Sequence, residues 1–180
     1  MPPNGLPRQP GDQHLRGAVQ EGQLFGVILC ALVESGLAPE RLELEITETS
    51  LLENQEAHRA TIRQLKNLGV SLARDDVGTG YSSVTYLANF PFDKIKIDRT
   101  FTQGVLERRD YAAVVSSVLA LAQGLGKITT VVGIETQQQF EYMREARVSL
   151  AQGYLFGRPV PASRLDFAAR YSPEQQAMVA

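Results

Sequence analysis

Val70-Ser71-Leu72-Ala73-Arg74-Asp75-Asp76-Val77-Gly78-Thr79-Gly80-Tyr81-Ser82-Ser83 decides how the rest of the chain is read. Val70 to Arg74 reads as a short buried strand that delivers two adjacent carboxylates at its end. Two glycines and a threonine then turn the chain into a helix. Placing Asp75 and Asp76 together in a low-dielectric site is unfavourable unless a cation neutralises them. A divalent ion with a preference for oxygen ligands (Mg²⁺, Mn²⁺ or Ca²⁺) is one remedy. A solvated Asp-Asp turn ahead of a helix N-terminus is the other reading, because carboxylates are stabilised there too.

Outward from this stretch, strands and helices alternate. Upstream, Leu42-Glu43-Leu44-Glu45-Ile46-Thr47-Glu48 alternates strictly, with Leu42, Leu44 and Ile46 on one face and Glu43, Glu45 and Thr47 on the other. Helices are expected at about Glu21 to Ser35, closed by Gly36, and at about Glu53 to Leu68, closed by Gly69. Downstream, a short helix from Ser82 to Asn89 leads to the strand Lys94-Ile95-Lys96-Ile97-Asp98, in which Lys94, Lys96 and Asp98 share a face. A long helix follows from about Tyr111 to Leu125, with Asp110 as its N-cap. Then come a strand from Ile128 to Ile134, a helix from Gln137 to Arg147, a strand from Ala151 to Phe156 and a helix from Ala162 to Tyr171. Pro173 biases Ser172 away from helical angles, so a polar tail begins there.

Repeated strand-helix order demands a parallel sheet with helices outside. In a doubly wound sheet both faces meet helices and the strands read as continuous apolar runs. These strands carry Glu45, Asp75 and Lys96 at their C-terminal ends, where a (β/α) barrel places its chemistry. Gly78-Thr79-Gly80 stands without the further glycine of a dinucleotide fingerprint. The expected class is therefore α/β, a TIM-type barrel of mainly parallel strands.

Composition agrees with a globular domain: 180 residues, 43% hydrophobic and 21% charged. A net charge of −2 with no basic patch argues against nucleic acid as a partner. The longest apolar run, Leu24 to Val33, is too short to span a bilayer and lacks the features of a signal peptide. Cys30, the one cysteine, implies no disulfide and fits a reducing cytoplasm, with burial in its apolar run expected. Residues 1–20, rich in Pro, Gly and Gln, are expected to be poorly ordered, residues 21–172 to form the barrel domain and residues 173–180 the polar tail.

Four motifs in sequence then become specific. Leu42 to Glu48, Asp75 to Ser83, Lys96-Ile97-Asp98-Arg99 and Ala151-Gln152-Gly153-Tyr154-Leu155-Phe156 together closely resemble the EAL family of cyclic di-GMP phosphodiesterases, from about Leu37 to Tyr171. Asn4 to Gln9 resembles a degraded form of the family's Asn-Leu-Ser-x-Arg-Gln strand. The resemblance implies a two-metal Mg²⁺ or Mn²⁺ site that hydrolyses cyclic di-GMP to linear pGpG, one ion activating water while both screen the transition state. It makes Glu45, Asp75, Asp76 and Asn4 metal ligands. Lys96 holds the attacking water or a phosphate oxygen, Glu48 and Glu135 brace the loop from Gly78 to Ser83, and Asp98 and Gln152 sit at the substrate's edge. Bland alternatives stand beside these roles: Glu45 as a partly exposed strand-end acid, Lys96 as a structural partner of Asp75 inside the barrel, and Tyr81, Tyr154 and Phe156 as core or rim aromatics.

Two departures count against activity. The Glu-Ala-Leu tripeptide and its strand are absent from the sequence, which is short of the roughly 250 residues of a whole barrel. Where the family reads Ala-Glu-Gly-Val-Glu-Thr, this chain reads Val131-Val132-Gly133-Ile134-Glu135-Thr136. Val132 thus replaces a metal-binding, catalytic Glu, and an isopropyl group has neither a lone pair nor an exchangeable proton. The expectation is a truncated, degenerate member, inactive alone, with Lys96 vestigial and at most one ion held weakly. It would bind cyclic di-GMP weakly. A homodimer or a partner chain would cover the open barrel, since uncovered strand edges and apolar interior favour association.

Overall fold

The first apolar run forms α1 (Leu24–Ser35), whose buried stripe is Ile28 and Leu32, four residues apart. Gly36 ends it at φ 65°, its N–H on the Leu32 carbonyl. This computed structural model describes residues 24–47, 55–78, 87 and 90–164. Cys30 is exposed, not buried as expected. The helix is apolar nearly all round, so its neighbour rather than its composition chooses the buried face. That neighbour is α2 (Gln55–Leu68), which packs on α1 and buries Ile62 and Leu65. A 3₁₀ turn (Pro39–Arg41) lies between them in sequence. Together these elements form one of two compact units, and the second takes the described residues of Leu44–Ser50 and Leu72–Ala180.

The sheet has five strands: β1 (Glu43–Ile46), β2 (Ser71–Val77), β3 (Lys94–Ile97), β4 (Ile128–Val132) and β5 (Leu150–Gln152). They lie in the order β1-β2-β3-β4-β5, and β2 through β5 pair in parallel. A doubly wound sheet reverses its order at a switch point, whereas a barrel wall adds each strand beside the last. Strand order thus supports the barrel-type expectation. Helices α3 (Arg99–Gly104), α4 (Arg109–Gly124) and α5 (Gln137–Glu145) fill the connections. Ile95, Ile97, Val131 and Ala151 form one core with Val115, Val118, Ala122, Phe140 and Met143 of α4 and α5. The shared face expected for Ile95 and Ile97 is therefore the helix-facing one, and Lys96 and Thr130 alternate to the other.

Several boundaries differ from expectation for identifiable reasons. β2 does not stop before its carboxylates but runs on to Val77. Its register against β3 shifts between Arg74 and Val77, and Asp76 takes φ 55°. Such a bulge interrupts the two-residue period at Asp75 and Asp76, after the buried run Leu72, Ala73 and Arg74, both faces of which are covered. β4 ends at Val132 rather than Ile134 because Gly133 turns to φ 85°. A side chain there would also put its Cβ 2.6 Å from that of Arg99. β5 ends at Gln152, and the chain then turns tightly around Ile134. A Cβ on Gly153 would lie 2.0 Å from the Ile134 carbonyl oxygen, so only glycine fits.

Asp98 does not extend β3. It caps α3, a helix with no earlier counterpart, and its carboxylate accepts the Thr100 N–H at 2.9 Å. α4 is capped by Arg108, and Asp110 sits in its first turn, where the Arg108 guanidinium donates to it. Thr136 and Gln139 form a reciprocal capping box on α5, which ends at Glu145 rather than Arg147. The start of the expected last helix is a 3₁₀ turn (Ala162–Arg164). Residues 21–23, 53–54 and 165–171 of the expected helices lie outside the described residues. So do residues 1–20 and 173–180, and all of Ser82 to Asn89 except Leu87, which is buried. No helix among the described residues is long and apolar enough to cross a membrane.

Candidate functional site at the strand ends

Two groups of side chains gather at the C-terminal ends of the strands. The first centres on Lys96 of β3, whose ammonium is ion-paired with Glu45 of β1 and stands 3.9 Å from Asp75 of β2. The lysine side chain is only 7% exposed, against 47% for Glu45 and 24% for Asp75, so the cation lies beneath its two counter-charges. A buried ammonium is costly without such partners. Asp76 stands in the bulge beside them. Partial burial pushes its carboxyl above the ordinary range, repulsion from Asp75 and Asp98 adds to this, and Lys96 and Arg74 oppose it. The residue as a whole is exposed, so water screens much of that effect.

The second group lines a cleft of about 430 Å³ at the ends of β4 and β5. Val132, Gly133, Glu135 and Gln152 form part of its wall, joined by Arg99, Tyr154 and Arg158. Arg158 lays its guanidinium 4.4 Å from the centre of the Tyr154 ring. Glu135 accepts a hydrogen bond from Gln103 of α3 at 3.1 Å, while residues 79–83 of the loop it was expected to brace lie outside the described residues. The Gln152 carbonyl accepts the N–H groups of Gly133 and Ile134, which fixes the cleft's floor. Phe156 packs edge-on to the buried Phe140, and Tyr154 is a half-exposed rim aromatic.

The expected residues thus divide. Glu45, Asp75, Asp76 and Lys96 come together, with Asp98 close enough to repel Asp76. Val132, Glu135 and Gln152 come together in the cleft. Asn4, Glu48 and Tyr81 lie outside the described residues. Arg158 was missed by the sequence reading. Its signal is Gly157-Arg158-Pro159 directly after an aromatic turn, where loops carry binding groups.

The donor set was tested against the two ions the resemblance implies. Among the described residues no three His, Cys, Asp or Glu side chains converge as a metal-holding group. Glu45 is engaged by Lys96, and position 132 offers only an alkyl surface. The described residues by themselves do not fit a two-ion site.

Comparison with known proteins agrees with the fold. The cyclic di-GMP phosphodiesterase RocR of Pseudomonas aeruginosa is 43% identical over 143 residues, which are 79% of this chain and 36% of RocR. The structure of a PaMucR phosphodiesterase in complex with c-di-GMP superposes with a TM-score of 0.74 at 37% identity, over 78% of this chain and 57% of that one. A manganese and cyclic di-GMP complex of Klebsiella pneumoniae BlrP1 gives 0.70 at 32% identity, over 76% and 35%. The chain spans about a fifth of the length of several other curated relatives. A family model described as EAL domain matches residues 18–159, and with its parallel, sequentially ordered sheet the chain belongs to the EAL domain family.

Proposed function

We propose that this chain is a degenerate EAL-type domain that does not hydrolyse cyclic di-GMP by itself and acts as a binding module for that dinucleotide. The observation that carries the reading is Val132, whose isopropyl group lines the cleft at the end of β4. By the family pattern this position supplies a carboxylate to the metals and the attacking water. Losing such a group removes on the order of 10²–10⁴ in rate for general base catalysis, before any loss of metal is counted. Binding needs less. Arg99, Arg158 and the Tyr154 ring offer charge and a stacking face to an anionic, planar ligand. A weak affinity is expected, with at most one divalent ion held weakly at Asp75 and Asp76.

The test is incubation of the purified chain with cyclic di-GMP and Mg²⁺ or Mn²⁺, followed by separation of pGpG, with calorimetric titration of the dinucleotide alongside. Binding without product supports the proposal, and robust conversion to pGpG overturns it. One observation favours a second reading, a residual phosphodiesterase: Glu45, Asp75 and Asp76 still gather at the strand ends. The same assay separates the two. Val27 and Val33 of α1, exposed on an apolar helix, support the expected association with a second copy or a partner chain. Analytical ultracentrifugation tests that, and a monomer at all concentrations would oppose it.

A further inference from the structure

We infer that the Lys96 ammonium is the resident cation of the carboxylate cluster, holding Glu45 and Asp75 in the role the family gives to a divalent ion and competing with any such ion for them. This rests on the proposed reading of the site as one without two-metal chemistry, and it names what neutralises the acids instead. β1 and β3 are not neighbours in the sheet; β2 lies between them. Adjacent strands stand about 4.8 Å apart, so a side chain on β3 must reach sideways across β2 to touch β1. Lys96 does so: its ammonium pairs with Glu45 and lies 3.9 Å from Asp75 on the way. One flexible four-carbon stem ending in a point charge suits that reach.

On the other flank the described residues of β4, Ile128 to Val132, carry no acid to draw the lysine away. Lys96 is in register with Thr130 of β4, whose hydroxyl is buried and makes no hydrogen bond among the described residues. The last residue of β4 is Val132. With a carboxylate there, Lys96 would have anions on both sides; with valine, its counter-charges come from β1 and β2. A divalent ion entering between Glu45 and Asp75 would have to displace an ammonium that is almost wholly buried and take its two nearest counter-charges from it. Lys96 therefore disfavours metal at this position as well as substituting for it.

Manganese binding by the whole chain tests this directly, by calorimetry and by the electron paramagnetic resonance of free Mn²⁺. Lys96→Met removes the charge and keeps the stem, and it is expected to raise Mn²⁺ affinity at least about tenfold, because a competing unit charge near 4 Å is gone. No gain in a folded Lys96→Met protein overturns the inference. If that variant does not fold, the unmodified protein decides through the ¹⁵N resonance of the Lys96 ammonium. Its persistence under excess MgCl₂ supports the inference, and its saturable loss overturns it. Turnover of cyclic di-GMP by the unmodified chain would instead sink the proposed function, so the two failures are distinguishable.

Discussion

The two groups at the strand ends have fared differently. At β1 to β3 the charged residues remain and satisfy one another: two carboxylates face one buried lysine. At β4 and β5 the cleft is lined by Val132, where the proposed function sets a lost acid, and its charges are two arginines and Glu135, which bonds to a helix. On the proposed reading, a loss on one side changes what the other side can do. A lysine flanked by acids on both sides can serve a metal site; flanked by acids on one side only, it becomes their partner.

The largest effect expected comes from restoring the missing group. Val132→Glu should raise Mn²⁺-dependent pGpG formation by on the order of 100-fold, the lower range for one general base. If product formation and Mn²⁺ binding both stay unchanged, no latent site exists and the contrast between the two groups is wrong. Next in size is the scaffold of the cleft. Gly153→Ala drives a methyl group into the Ile134 carbonyl and should cost about 1–3 kcal/mol or more in urea unfolding. An unaffected midpoint would mean that the turn after β5 can relax. The charge clusters themselves give the sharper comparison. Glu45→Gln weakens the neutralisation of a lysine whose side chain is 7% exposed and should cost about 1–2 kcal/mol, reduced by the exposure of Glu45. Glu135→Gln only removes the charge from an exposed bond accepted from Gln103 and should cost less than about 0.5 kcal/mol. Equal costs would show that the two clusters are energetically alike.

How much of this could be read from the chain depends on the distance over which each feature is decided. The alternation of Leu42 to Thr47 and of Lys94 to Ile97 is local, and β1 and β3 lie where the pattern puts them. The parallel, barrel-type order follows from the repeat of strand and helix, and the motifs name residues that the fold brings to the strand ends. The bulge in β2 was hidden because it exists only as a mismatch of register against β3. Helix α3 was hidden because six residues make fewer than two turns, too few for a repeating pattern; its one local signal is Asp98 followed by the Thr100 N–H it caps. Cys30 and its apolar helix misled because composition does not choose a buried face. The pair Lys96–Glu45 joins residues 51 apart on strands that do not touch in the sheet. No pattern along the chain encodes that contact, although both residues were named individually.

Asp76 gives a small expected effect, spread over pH, and the finest test of the charged group. Its carboxyl titrates near 3.8 in an unfolded chain and above that in the fold, where partial burial and then Asp75 and Asp98 disfavour the anion. The folded protein therefore holds this proton more tightly than the unfolded one. The corresponding stability is fully present below the unfolded value and is lost as pH rises through the folded one. Asp76→Asn carries no such charge, so near neutrality it should be slightly more stable than the unmodified chain, by less than about 1 kcal/mol because the residue is exposed. The difference should shrink as the pH falls towards 3.8. Urea midpoints of both proteins across that range measure it. An advantage that grew at acid pH would mean that a cation already satisfies the Asp76 anion, and Lys96, which pairs with Glu45, would no longer be the only positive charge the cluster needs.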